Sequence, residues 1–449
     1  MLLGLLIIST IVTYLFKQFN KIIGITKYSL GTKLIVLFFL CSSQSILASF
    51  ILIPMDDVTQ TNHLKAYGIT FWSLQQGNKA KWLLNYEGGS FLLEDNNATR
   101  NECKIRGVTF QIISDTETLK ILEEISSPSK NMDAVILEKA PKIAVYSPKD
   151  KKPWDDAVTM VLTYAEIPFD VIYDEEILEE NLLKYEWLHL HHEDFTGQFG
   201  KFYGAYKTAP WYIEQKKSAE VLAHKLGYEK VSEEKLAVAL KIRDFVIGGG
   251  FMFAMCSATD SFDIALSAEG VDICESMFDG DPSEIEYQSK LNFKKTFAFK
   301  DFTLVRNPSE YEFSSIDMTR KRENIKRTTD YFSLQEYSAK WDPVPTMLCQ
   351  NHTQLVKGFM GQTTSFDRAE IKSNLLVLGE NKTNNEARYI HGVKGKGMFT
   401  FYGGHDPEDY QHRVGDAKTE LDLHPNSPGY RLILNNVLFP AAKKKEQKT

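Results

Sequence analysis

The sequence predicts an α/β fold: a doubly wound, mostly parallel sheet with a small N-terminal α+β unit and an inserted lid. Three observations predict it. From Lys142 to Met255, short apolar runs alternate with runs of helical period, the pattern of strands joined by crossover helices. Within it, Gly248-Gly249-Gly250 leads into Phe251 to Met255, and a single Cys256 follows with small and polar residues behind it. A strand that turns sharply into a helix in this way presents a nucleophile at the mouth of a sheet. Late in the chain, Gly397 to Tyr402 is a second apolar strand, which ends in Gly403-Gly404-His405.

The elements follow in order. Residues 1–48 are a leader: Leu2 to Phe16 is apolar, Lys17, Lys21, Lys27 and Lys33 follow, and Leu34 to Leu40 is apolar again before Ser45-Ile46-Leu47-Ala48. Lysine, apolar run and small residues form a signal-peptide pattern with cleavage near Ala48, and a membrane hairpin with spans at Leu2 to Phe16, short for a bilayer, and Leu34 to Pro54 is the alternative. Under either reading the body is exported, periplasmic or anchored to the membrane facing outside the cytoplasm. Residues 49–135 read as a small α+β domain, where Lys81 to Leu93 is strand, Gly-Gly turn and strand, and Thr118 to Ile125 is helical. Residues 140–440 form the main α/β domain. Its expected strands are Lys142 to Tyr146, Phe169 to Tyr173, Glu186 to His191 and Phe251 to Met255, with helices at Trp154 to Ala165, Trp211 to Leu226 and Ser232 to Val246. Alternation is lost over 270–366, the inserted lid. It resumes with strands at Asn374 to Leu378, Ala387 to His391 and Gly397 to Tyr402, then a helix near Tyr430 to Val437. Residues 441–449 are a polar tail.

Composition narrows the function classes. The 449 residues are 43% hydrophobic and 25% charged, with a net charge of −7, which gives no basic footprint for nucleic acid. The five cysteines, Cys41, Cys103, Cys256, Cys274 and Cys349, include no CxxC pair, so neither a zinc ribbon nor a disulfide scaffold is expected. No cofactor is implied. The partner expected is a small-molecule or envelope-derived substrate.

Ligands of doubly wound sheets lie at the carboxyl ends of the strands, and the chemistry-bearing residues fall there. Cys256 is the candidate nucleophile, its thiol pKa lowered by the helix N-terminus that follows. His405 is the candidate base, with Glu408 or Asp406 to orient it. After the third strand stand His189, His191, His192, Glu193 and Asp194. His189 and His191 share a strand face, and with a carboxylate they are candidates for a divalent metal, a set that His391 and His405 would have to join in space. The alternatives for this segment are plain structural histidines, or a loop around Gly197 that supplies backbone N–H groups to an oxyanion. Ser257 N–H would be the other oxyanion donor. His192 and Glu193 lie where substrate would bind. Trp341-Asp342-Pro343 and Gln350-Asn351-His352 are either a loop above the site or the packing of a satellite core.

The Cys256 elbow together with strand–Gly-Gly–His405 resembles the class I glutamine amidotransferase-like superfamily, over roughly residues 141–439. The segment from Gly395-Lys396-Gly397 to Gly404-His405-Asp406-Pro407-Glu408 is most similar to its ThuA-like, trehalose-utilisation branch. The resemblance implies a flavodoxin-like fold in which a Cys attacks an amide or ester carbonyl, a His is the base and a Glu completes the triad. Here Pro407 stands two residues past His405, where the family has its Glu, and Glu408 is one position later. After Cys256 comes Ser257-Ala258-Thr259 instead of the Gly-x-Gln of glutaminases. The function so implied is an exported cysteine-dependent amidohydrolase or acyl-transfer enzyme. A carbohydrate-binding, non-catalytic module of ThuA-like type is the alternative, and a metal-dependent hydrolase on His189, His191 and His405 is a third reading. The chain also resembles, almost end to end, bacterial chains labelled asparagine synthetase B. That activity needs an N-terminal cysteine and a Ser-Gly-Gly-type phosphate loop. Leu2 follows Met1 here, and the nearest match to the loop, Ser257 to Ser261, has neither glycine.

Overall fold

The computed structural model describes residues 49–148, 156–322, 324–340, 346–411, 413 and 415–444. The leader falls outside them, as do Trp341 to Pro343. Among the described residues no helix is long and apolar enough to cross a membrane.

Residues 49–449 cluster as one compact unit, built on two sheets. The first is antiparallel, ordered β4-β1-β3-β2-β5, from β1 (Ser49–Ile53), β2 (Ala80–Leu84), β3 (Ser90–Glu94), β4 (Gln111–Ser114) and β5 (Asp133–Leu137). Helix α1 (His63–Gln75) packs on it, and α2 (Asn97–Ile105) and α3 (Asp115–Ser126) lie between its strands in sequence. Asn62 and Asn96 cap α1 and α2 through side-chain oxygens, and Ser114 with Glu117 forms a capping box on α3, which satisfies otherwise orphaned N–H groups.

The second sheet is mixed. Its parallel half runs through β6 (Ile143–Tyr146), β7 (Asp170–Ile172), β8 (Trp187–Leu190), β9 (Phe251–Met255) and β15 (Gly397–Tyr402), in spatial order β7-β6-β8-β9-β15. Helices α4 (Ala157–Tyr164), α5 (Asp174–Leu178), α6 (Pro210–Lys225), α7 (Val231–Gly248) and α8 (Ala258–Ser267) connect or follow these strands, and α9 (Pro428–Leu438) closes the chain. The other half is antiparallel: β10 (Tyr331–Leu334), β11 (Leu355–Lys357), β12 (Phe366–Asp367), β13 (Leu376–Asn381) and β14 (Glu386–Lys394). The mostly parallel sheet expected from sequence is therefore a mixed one, because β14 and β15 form a hairpin. Lys394 pairs with Gly397, which leaves only Gly395 and Lys396 in the turn, and a two-residue turn joins antiparallel strands alone. Three of the strands, β10, β11 and β12, come from the stretch expected to be a lid.

Alternate residues of the parallel strands enter separate cores. Ile143, Val145, Trp187, Phe251 and Phe253 face one core, together with α1, α4, α9 and the first sheet. Ala144, Tyr146, Leu188, Leu190, Met252 and Ala254 face the other, under α7 and α8. Strands buried on both faces need continuous apolar runs, as Phe251 to Met255 supplies. The first core includes Ile51, Trp82 and Phe91 as well as Leu434 and Val437, so the two sheets share one interior. Arg431, fully buried, donates to the Tyr67 hydroxyl at 3.1 Å, to the Met55 carbonyl at 3.0 Å and to the Gly88 carbonyl. This ties α9 to the first sheet. The tail begins in contact with the body: Lys443 N–H donates to the Ile136 carbonyl at 2.7 Å.

Candidate functional site

Four strand ends of the parallel half deliver side chains to one edge of the sheet. Asp156, which follows β6, caps α4 by accepting from Val158 and Thr159 N–H at 2.7 and 3.0 Å. His189 is on β8, and His191 and His192 follow it. Cys256 ends β9, and His405 lies beyond β15 after Gly403-Gly404. The carboxyl edge is where open parallel sheets place their ligands.

The histidines converge. The His405 ring centroid is 4.6 Å from that of His191 and 5.9 Å from that of His192, and His191 and His192 are 5.0 Å apart. One ligand atom from each of the three lies within 4.8 Å of the others. Asp156 buttresses the group from beneath. Its carboxylate lies 3.1 Å from His189 Nε2 and 3.4 Å from His191 Nδ1. Burial by itself would raise the Asp156 pKa, but His189 and His191 hold it well below the usual carboxylate range. Burial depresses the His191 pKa against the pull of Asp156, which favours the neutral imidazole. Both ring nitrogens of His189 are engaged within the protein, by the Phe253 carbonyl at 3.1 Å and Asp156 at 3.1 Å. His391 does not join the group: its Nδ1 meets the Thr400 hydroxyl at 2.9 Å, and its ring packs on Phe251 and Phe439.

Cys256 holds a left-handed backbone, φ 53°, a conformation that costs a non-glycine residue of order 1 kcal/mol or more. Three bonds pin the turn. Thr259 N–H and hydroxyl donate to the Cys256 carbonyl at 3.1 and 2.7 Å, and Ala258 N–H donates to the His191 carbonyl at 2.9 Å. The elbow is thus fastened to the histidine segment. The sulfur is 3% exposed as part of its residue, and it is faced by backbone N–H groups of Ser257 and Gln362. The expected lowering of the thiol pKa is reversed. Burial outweighs the two N–H donors and pushes the thiol up to about 12, with Asp317 and Asp260 adding to the rise. Gln362, from the 270–366 stretch, stands where sequence reasoning placed Gly197. No motif marks Gln362; only folding brings Gly361 to Thr363 against the elbow. There Gly404 N–H donates to the Thr363 carbonyl, and a Cβ on Gly361 would sit 2.6 Å from His405 N.

Glu408 pairs with His424, Oε2 to Nδ1 at 3.2 Å, and Asp406 accepts from Glu408 N–H at 2.9 Å and the Thr419 hydroxyl at 2.8 Å. Asp406 thus shapes the turn after His405, and the carboxylate beneath the histidine group is Asp156, which no motif singled out. Gln350, Asn351 and His352 pack inward: Gln350 accepts from Asn85 N–H at 2.8 Å, Asn351 donates to the Pro428 carbonyl at 2.9 Å, and His352 stacks on His63 at 4.5 Å.

Beside the histidines opens a cavity of about 340 Å³, lined among others by Tyr173, His192, Glu193, Gly197, Phe199 and Trp211. Gly197 takes φ 79°, and a Cβ there would lie 2.7 Å from Ser232 Cα, so the loop wall requires glycine. Burial pushes Glu193 up to about 8. Lys235, the cation at this wall, is saturated by Asp174 at 2.6 Å and by the Tyr146 and Tyr173 hydroxyls at 3.0 Å each.

No family model and no curated protein matches the chain. Among solved structures it is similar to two cytoplasmic proteins of Salmonella typhimurium. For STM3548 the identity is 10% and the TM-score 0.32, covering 68% of this chain and 100% of the other. For STM1381 the identity is 13% and the TM-score 0.33, covering 67% and 100%. It is also similar to Gan42B, a GH42 β-galactosidase from G. stearothermophilus, at 11% identity and a TM-score of 0.23, over 60% of this chain and 28% of that one.

Proposed function

We propose that the protein is a hydrolase that cleaves amide or ester bonds of small or envelope-derived molecules at the carboxyl edge of its parallel strands. The observation that carries this is the meeting of His191, His192 and His405 over Asp156 beside a 340 Å³ cavity. A cluster of basic, mutually oriented groups next to a mostly apolar pocket is what general-base hydrolysis needs. The attacking group in this reading is water. Its oxygen bonds to the carbonyl carbon while the histidine centre takes its proton. The C–N or C–O bond then breaks, and the proton passes to the departing amine or alcohol. His192, Glu193 and the aromatic wall hold the substrate. The strand order β7-β6-β8-β9-β15 is 2-1-3-4-5 in chain order within the parallel half, which supports the flavodoxin-like, glutamine amidotransferase-like architecture. The lysine-flanked leader supports placement of the body outside the cytoplasm.

A second reading, with Cys256 as nucleophile and His405 as its base, draws on the strained elbow and the Ser257 and Gln362 N–H groups at the sulfur. A thiol near 12 at rest argues for water. A panel of chromogenic anilides and esters separates the two. His405→Ala is expected to lose at least about 100-fold in kcat/KM, and Cys256→Ala to stay within about fivefold of wild type. Loss of turnover in Cys256→Ala with the fold intact transfers the mechanism to the thiol. Undiminished turnover in His405→Ala ends both readings.

A further inference from the structure

We propose that His191, His192 and His405 bind a divalent transition metal of the zinc type, with Asp156 and His189 as its supports. The site coincides with the reaction centre above, where a bound ion would lower the pKa of the attacking water in place of a free histidine base; that catalytic use rests on the hydrolase reading, and the site's existence does not. The geometry is that of a ligand set waiting to close. One nitrogen from each ring lies within 4.8 Å of the other two, whereas nitrogens about 2.1 Å from a tetrahedral ion sit about 3.4 Å apart. Small side-chain rotations therefore complete the set. His191 is the anchor: it is 1% exposed, and its Nε2 has no hydrogen-bond partner although buried. An orphaned buried nitrogen is costly, and a coordinated ion removes that cost. On the other side of the ring, Asp156 approaches Nδ1 at 3.4 Å. Carboxylate, imidazole and metal in line is the arrangement by which proteins orient a ligating histidine.

His189 belongs to the support. Its two ring nitrogens are engaged by the Phe253 carbonyl and Asp156, so it steadies the carboxylate that steadies His191. The donor chemistry selects the ion. Three imidazoles without a thiolate suit zinc, cobalt, nickel or iron(II), whereas calcium and magnesium require oxygen ligands. His192 also lines the cavity, so the set opens onto the space where substrate or water completes the coordination, as catalytic sites of three protein ligands do. A group of potential ligands away from the histidines, Asp272, Cys274 and Asp279, makes the contrast. There Lys230 Nζ sits 2.6 Å from Asp272 and 3.2 Å from Asp279, and the protein's own ammonium takes the place of a cation.

The test uses the full chain, stripped with a chelator, dialysed against zinc ions and then against buffer, with bound metal measured by elemental analysis. Wild type is expected to hold ~1 zinc per chain, and cobalt ions in place of zinc to give the visible absorption of a tetrahedral nitrogen site. His192→Ala and His405→Ala are each expected to lower zinc retention about tenfold or more. His391→Ala, a buried histidine outside the group, keeps it. Circular dichroism checks the fold of each variant, and the half-buried His192 makes His192→Ala the gentlest of them. Wild type retaining under about 0.1 equivalent, or His391→Ala falling as far as His405→Ala, overturns the site. Hydrolysis by metal-free protein at the rate of the zinc-loaded protein overturns the catalytic use of the ion, while leaving the hydrolase reading intact. Stoichiometric zinc without turnover on any substrate upholds the site and overturns the hydrolase reading.

Discussion

Cys256 is held in a left-handed turn at the end of an apolar strand, yet its thiol is screened from solvent. Position and reactivity thus diverge at a single residue. The elbow geometry follows from the strand-to-helix turn, whereas the pKa follows from everything packed over it. Because folding raises this pKa, the thiol stays protonated in the folded state while the unfolded thiol ionises. Its contribution to stability is complete below the unfolded value near 9 and declines as pH rises toward about 12. Comparing wild type with Cys256→Ala by urea unfolding at pH 8 and pH 10.5, the stability advantage of wild type is expected to shrink by about 2 kcal/mol. An unchanged gap between the two pH values would mean that the thiolate is as well accommodated inside as in water.

At the scale of elements, the hairpin of β14 and β15 decides where His405 stands. Its turn closes in two residues, with Gly395 at φ 64°, and a Cβ there would lie 2.7 Å from the Ile247 carbonyl oxygen. Both the torsion and the space demand glycine. Gly395→Val is expected to cost about 2–4 kcal/mol in urea unfolding, from left-handed strain together with the clash against α7. A loss under about 0.5 kcal/mol would show that the turn can rebuild without glycine. Downstream of the hairpin, β15 pairs in parallel with β9, Tyr402 opposite Met255. That register sets His405 and the Cys256 elbow on neighbouring strand ends. A slip of one residue would invert the faces of the whole strand.

Over the whole molecule, the first sheet and the mixed sheet share a core and are joined through buried polar groups of α1 and α9. His63 stacks on His352, and both lie near Arg431. Burial, together with that guanidinium, pushes His63 down to about 3 and His352 down to about 4, while Asp56 and Asp57 pull weakly the other way. These imidazoles are neutral in the folded protein and take protons on unfolding below about 6.5. Stability from this junction is therefore intact above pH 6.5 and lost as pH falls toward 3–4; His63 alone accounts for about 3 kcal/mol at pH 4.5. Hydrogen exchange at pH 7 and pH 4.5 is expected to show α1 and α9 losing protection ahead of β8 and β9 at the lower pH. Simultaneous loss over all four elements would mean that acid acts on the fold as one unit, with no weak point at this junction.

The sequence by itself determined the local grammar. Phe251 to Met255 and Gly397 to Tyr402 are strands at those limits, because an apolar run bounded by glycines has few other uses, and helices at 211–226 and 232–246 are legible from their period. It also marked Cys256, His191, His192 and His405 as chemical residues near strand ends. It did not reveal the direction of β14, because an apolar strand buried on both faces looks the same whichever way it runs, and the Gly395 turn was the lone clue. Tertiary structure alone brought Asp156, the N-cap of α4, beneath His191, gave Glu408 to His424, and set Gln362 against the Cys256 sulfur. Those pairings join residues 16 to 106 positions apart. Spacing along the chain carries no information about them; packing of the strands at one edge does.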